Sequence, residues 1–74
     1  MFDKTENVKL KVNGMHCMHC KASVEEALKA VKGVKKAEAD LESASATVTY
    51  VPAKTNIESL IAAVVAAGFE AEKI

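Results

Sequence analysis

The spacing of the apolar residues switches between strand-like and helix-like along the 74-residue chain. In "VKLKV", Val8, Leu10 and Val12 alternate with lysines, which predicts a half-buried strand. In "KASVEEALKAVKG", the apolar residues recur at helical spacing, and Gly33 is expected to end the helix. "VKKAEADL" and "ATVTYV" return to alternation and predict two further strands.

The rest of the chain predicts one more helix and one more strand. "TNIE", from Thr55 to Glu58, has the pattern of a capping box, so a second helix is expected with Thr55 as its cap. Its predicted buried stripe consists of Ile57, Leu60, Ile61, Val64 and Val65. Gly68 is expected to end this helix, and "FEAEKI" predicts a short last strand. The resulting order, β-α-β-β-α-β, predicts an α+β ferredoxin-like fold with two helices on one face of a four-stranded antiparallel sheet.

Length and charge restrict the function. The length predicts a single domain over residues 1–74. Ten basic and ten acidic residues give a net charge of zero, which argues against nucleic acid as a partner. No apolar run approaches the length needed for membrane insertion. The opening "MFDKTENVKL" has no hydrophobic signal core, so a cytoplasmic location is predicted.

The hexapeptide "MHCMHC" between the first strand and the first helix is the clearest chemical feature. It contains three pairs three residues apart: Met15/Met18, His16/His19 and Cys17/Cys20. Residues three apart face the same way at a helix start, so only one pair can meet at a single ion. The positive helix end favours thiolates, and two thiolates without a third ligand suit Cu(I). A structural zinc site would need four ligands, and the chain has no second C-x-x-C.

The neighbours of the two cysteines are expected to play lesser parts. Met15 is predicted to pack inward beneath the loop, and Met18 is predicted to be exposed. His16 and His19 are expected to be solvated, although His19 could tune the thiols or bind the ion transiently. The charge of Lys21 is expected to offset the negative charge of a bis-thiolate complex.

The segment "GMHCMHC" matches the G-M-x-C-x-x-C motif of the heavy-metal-associated domain family. With the element order, "VKGV" and "AAGFEAEKI", the chain resembles that family over residues 8–74. The resemblance implies that Cys17 and Cys20 hold Cu(I) near-linearly at an exposed loop. It also implies that Met15 packs inward and that Phe69 lies beside this loop.

The resemblance further implies a copper chaperone rather than an enzyme. Such a protein passes Cu(I) by thiolate exchange to a copper-transporting P-type ATPase or another C-x-x-C protein, and two copies could share an ion as a copper-bridged homodimer. Many soluble bacterial chaperones have Tyr where this chain has Phe69, whereas ATPase domains often have Phe. An excised ATPase domain is therefore one alternative. The others are a Hg(II) or Zn(II) domain of the same fold and a small thiol redox protein.

Overall fold

The computed structural model describes residues 4–74, so the first three residues of the predicted domain lie outside the described part. The elements are β1 (Glu6–Asn13), α1 (Met18–Lys29), β2 (Val34–Asp40), β3 (Ser45–Tyr50), α2 (Ile57–Ala66) and β4 (Glu70–Lys73). The strands form one antiparallel sheet in the order β2-β3-β1-β4. The predicted ferredoxin-like arrangement is confirmed.

The core lies between the two helices and one face of this sheet. Its fully buried large side chains are Leu10, Val12, Val24, Leu28, Val48, Leu60 and Val64. Each such Val or Leu contributes about 1.5–3 kcal/mol by leaving water. The opposite face of the sheet carries the polar residues of the same strands, including Lys9, Lys11 and Thr47. Neither helix in residues 4–74 is long and apolar enough to cross a membrane.

The first helix ends earlier than the sequence predicts. Regular helix stops at Lys29, and the assignment of its end to Gly33 is wrong. Beyond Lys29 the backbone winds more tightly than an α-helix, because Val31 N–H donates to the carbonyl of Leu28 and Val34 N–H donates to that of Val31. These bonds reach back three residues instead of four, so they end the regular helix while Val31 still packs against the core.

The second helix is capped by Asn56, so the prediction of Thr55 as the cap is wrong. Asn56 has an extended backbone, and its side chain accepts a hydrogen bond from Ser59 N–H at 2.9 Å. This is the standard way in which an Asn side chain satisfies a free amide of the first turn. Thr55 is instead buried just before the cap.

The buried stripe of α2 is narrower than predicted. Leu60 and Val64 are fully buried, and Ile57 and Ile61 are half-buried against the core. Val65 is 54% exposed, so its assignment to the core is wrong. The reason is angular: a residue adjacent to a fully buried one points about 100° away on a helix.

The backbone turn at the end of α2 determines the position of Phe69. Gly68 has a φ of +100°, as the predicted helix stop requires. Gly68 N–H bonds the carbonyl of Val65 at 3.0 Å, and Phe69 N–H bonds that of Val64 at 3.2 Å. This pair of bonds is a Schellman motif, and it turns the chain so that β4 follows directly.

Candidate metal-binding site

The cysteine pair lies where β1 leads into α1. Cys17 is the N-cap of α1, with an extended backbone at φ −156° and ψ 173°. Cys20 lies in the first helical turn, and Lys21 N–H closes this turn on the Cys17 carbonyl at 3.1 Å. Both thiols therefore stand on the amino-terminal end of a 12-residue helix, where the helix dipole is positive.

The two sulfur atoms are close enough to share one ion. They lie 3.7 Å apart within hydrogen-bonding distance, and both thiols are free. Two metal–thiolate bonds of about 2.3 Å in a straight line would span about 4.6 Å. A linear complex therefore needs the sulfurs to separate by about 1 Å, which rotation of exposed side chains can supply. Cys17 is exposed and Cys20 is half-buried.

The surroundings of Cys17 favour its thiolate form. The pKa of the Cys17 thiol is lowered from its ordinary 9.0, first by the backbone N–H of Cys20 and then by the Cys20 side chain and the His19 N–H. The Cys17 side chain forms no well-aligned capping hydrogen bond, so these amides act on its sulfur only as weak donors. The thiolate is the form that binds metal.

The other four residues of the hexapeptide do not join the sulfurs. Met15 is half-buried and packs against the core, whereas His16, Met18 and His19 are exposed. In the part of the chain that the structure describes, no three His, Cys, Asp or Glu side chains are grouped so that they could hold an ion together. The arrangement therefore offers two ligands and an open third position.

Phe69 lies against the start of the metal loop. A Cβ placed on Gly14 would stand 3.3 Å from the Phe69 ring carbon Cδ1. Phe69 is half-buried and also packs against the core. The ring therefore supports the backbone that leads into the cysteines.

Lys21 interacts electrostatically with a carboxylate of the neighbouring strand β2. Its side chain is half-buried one helical turn beyond Cys17. The pKa of the Glu38 carboxyl is lowered, chiefly by its hydrogen bond and charge interaction with Lys36 and more weakly by the charges of Lys21 and Lys29. The Lys21 charge thus acts on the β2 carboxylate.

Glu25 is a contact that the sequence did not indicate. Its Oε2 accepts a hydrogen bond from Ala39 N–H at 2.9 Å, which ties α1 to the outer edge of β2. The two residues are 14 positions apart, and no local pattern marks the pair, because it depends on how α1 packs on the sheet.

The comparison with family models agrees with this geometry. The model of the heavy-metal-associated domain matches residues 9–70. The chain belongs to the heavy-metal-associated domain family.

Relatives of this domain are named for two different metals. The chain is 37% identical over 67 residues to a copper-exporting P-type ATPase of Staphylococcus epidermidis, a match that covers 90% of the chain and 8% of the ATPase. It is 39% identical to the periplasmic component of a mercuric transport protein of Acinetobacter calcoaceticus, over 93% of the chain and 76% of that protein. The chain thus spans about 8% of the length of the ATPase.

A solved structure shares the whole architecture. The CopZ metallochaperone superposes with a TM-score of 0.88 at 33% identity, over 90% of this chain and 100% of that one. The fold and the family are therefore shown, and the domain is related to both chaperones and transporter domains.

Proposed function

We propose that the domain carries Cu(I) on Cys17 and Cys20 and passes it to a partner protein. The observation that carries the proposal is the isolated pair of thiols 3.7 Å apart at an exposed helix start. Cu(I) is a soft ion that is content with two thiolates, whereas zinc in a structural site takes four ligands. In residues 4–74 no third ligand is grouped with the two cysteines, which supports Cu(I) over structural zinc.

Transfer follows from the open third position. An incoming thiolate of the partner would bind the ion before one of the two donor thiolates leaves, and a second exchange would complete the move. No step releases the ion into water, so tight binding and fast transfer are compatible. Cys17 would be the thiolate that is exchanged first, because it is the more exposed of the two.

The partner in this proposal is a copper-transporting P-type ATPase or another C-x-x-C protein. We propose that residues 1–74 act as one domain in the cytoplasm, where cysteines stay reduced. The protein would be a carrier rather than an enzyme. A copper-bridged homodimer would follow from the same exchange when a second copy supplies the incoming thiolate.

The second candidate is a mercury-binding domain. It is favoured by the similarity to the periplasmic component of the mercuric transport protein. Two thiolates also suit Hg(II), so the donor set does not separate the two metals. Induction of the gene separates the two proposals. The messenger RNA that encodes this domain should rise with copper salts under the first proposal and with mercury salts under the second.

The binding proposal is tested by Cu(I) competition against a chromophoric chelator, under anaerobic reducing conditions. We expect the native chain to bind one Cu(I), and Cys17→Ser and Cys20→Ser to lose tight binding while unfolding at the native temperature. His19→Ala and Met18→Leu are matched controls from the same hexapeptide and should bind as the native chain does. Tight binding that survives either Cys→Ser change would overturn the two-thiolate site.

The redox alternative has its own readout. A small thiol redox protein would cycle a Cys17–Cys20 disulfide and turn over a disulfide substrate. We expect the domain to show no such turnover with insulin and thiol reductant. Sustained turnover that Cys17→Ser abolishes would favour the redox function instead.

A further inference from the structure

The two outer edges of the sheet differ in how they are protected. The strand order leaves β2 and β4 at the edges. The β2 edge is partly closed, because Glu25 accepts the hydrogen bond of Ala39 N–H. Of the side-chain hydrogen bonds found in residues 4–74, none reaches β4. An unprotected edge is a template for pairing with another strand.

The hydrogen bonds to β1 show which backbone groups of β4 face outward. Ile74 N–H bonds the Lys9 carbonyl at 3.2 Å, and these residues are directly opposite in the antiparallel register. Bonded and non-bonded pairs alternate along such a ladder, so the residues opposite Leu10 and Val12 are not bonded to β1. The N–H and C=O groups of Ala71 and Lys73 therefore point away from the sheet.

A groove runs beside this edge. It has a volume of about 420 Å³ and is lined by Asn13, Val65, Phe69, Glu70, Ala71 and Glu72. The apolar lining includes Val65, which is 54% exposed. Glu70 and Glu72 lie opposite Asn13 and Lys11 on the open face of the sheet, and neither carboxylate forms a salt bridge within the described residues.

The charges disfavour a second copy as the occupant. When two β4 strands pair antiparallel in one continuous sheet, residues of the same face must be opposite each other. Registers centred on Glu70, Ala71 or Glu72 set a glutamate opposite a glutamate of the other copy, and the register centred on Lys73 sets two lysines opposite each other. Like charges directly opposite destabilise a strand pair, whereas lysine or arginine opposite these positions would stabilise it.

We propose that the outer edge of β4 is a docking site for an extended segment of a partner protein, in which basic and apolar side chains alternate. The basic side chains would lie beside Glu70 and Glu72 on the open face. The apolar ones would lie over Val65 and Ala71 in the groove. Because Phe69 borders both this groove and the metal loop, the segment would hold its protein beside the cysteine pair without using either thiol.

The test uses the metal-free domain labelled with ¹⁵N and a short blocked peptide of alternating valine and lysine, at physiological ionic strength. We expect saturable shifts confined to the β4 edge, and slowed amide hydrogen exchange at Ala71 and Lys73. Glu72 N–H should change little, because it already faces β1. The same peptide with glutamate in place of lysine is expected not to bind.

Variants separate edge pairing from general charge attraction. Glu70→Lys/Glu72→Lys should weaken binding about tenfold or more. Glu26→Lys/Glu58→Lys makes the same change in net charge at exposed helical positions and should bind as the native domain does. Ala71→Pro removes an outward N–H, a change that edge strands tolerate, and should abolish binding while the spectrum remains folded.

Five results would overturn the proposal, four of them seen when peptide is added. These are equal binding of the glutamate peptide, equal loss in the helical control, no binding of the lysine peptide to the folded native domain, or binding without protection of Ala71 and Lys73. Concentration-dependent protection of these two amides in the absence of peptide would identify a second copy as the occupant and would also overturn it. None of these outcomes depends on metal binding by the cysteines.

Discussion

Replacement of Gly14 by alanine tests how firmly Phe69 supports the metal loop. Gly14 has a φ of +103°, where an L-residue costs roughly 1–2 kcal/mol, and the stiffer unfolded chain returns about 0.4–1 kcal/mol. The new Cβ also meets Phe69 Cδ1 at 3.3 Å. Moving a ring that is packed against the core adds about 1 kcal/mol. We expect Gly14→Ala to lower the free energy of unfolding by about 2 kcal/mol.

Gly68→Ala supplies the matched control. Its φ is +100°, nearly the same, but no atom lies within 4 Å of the added Cβ. It should therefore lose only the backbone part, about 0.5–1.5 kcal/mol. Urea unfolding of the metal-free domain, followed by circular dichroism, measures both values. In a Phe69→Leu background the extra cost of Gly14→Ala should fall away. Equal costs for the two glycines would refute the idea that the ring holds the loop.

Three further predictions concern single positions. Ala44 has a φ of +51°, so Ala44→Gly should raise the free energy of unfolding by about 0.5–1 kcal/mol; an unchanged urea midpoint would contradict the left-handed assignment. Asn56→Ala should cost about 1 kcal/mol through loss of the α2 cap, and Asn56→Asp should be nearly neutral in the same unfolding assay. Because the Cys17 pKa is lowered, its thiolate persists at lower pH than an ordinary thiol, so mass spectrometry should show the pH profile of iodoacetamide modification at Cys17 displaced to lower pH than that of an unstructured cysteine peptide. Cys20→Ala should move that reaction profile to higher pH, and an unmoved profile would mean that the Cys20 side chain has no part in the shift.

The element order could be predicted because each segment has a strong local period. β1 alternates cleanly, and the cysteines stand at the start of an amphipathic helix, so both the fold and the place of "MHCMHC" followed from neighbouring residues. The cap of α2 could not be decided in this way. Thr55 and Asn56 are adjacent and both carry a side-chain oxygen that can cap, so only the observed backbone and the bond to Ser59 separate them.

The contacts that support the candidate site depend on packing between distant segments. Gly14 and Phe69 come together because a Schellman motif returns the chain to the end of β1. Glu25 reaches Ala39 only after α1 has packed on the sheet. Neither contact is marked by a repeating pattern in the sequence, so neither could be predicted without the structure.

The distance between the only tyrosine and the cysteines decides which process tyrosine fluorescence can report, unfolding or metal loading. Tyr50 is opposite Glu6 at one end of β1, and Asn13, which leads into the metal loop, is about 24 Å away along the strand. The chain has no tryptophan, and Tyr50 is only 6% exposed. Its fluorescence should therefore report unfolding but stay silent when an ion is loaded. Loading would be followed instead by ultraviolet absorption of the sulfur-to-metal charge transfer, so one sample can report folding and occupancy through two separate optical signals.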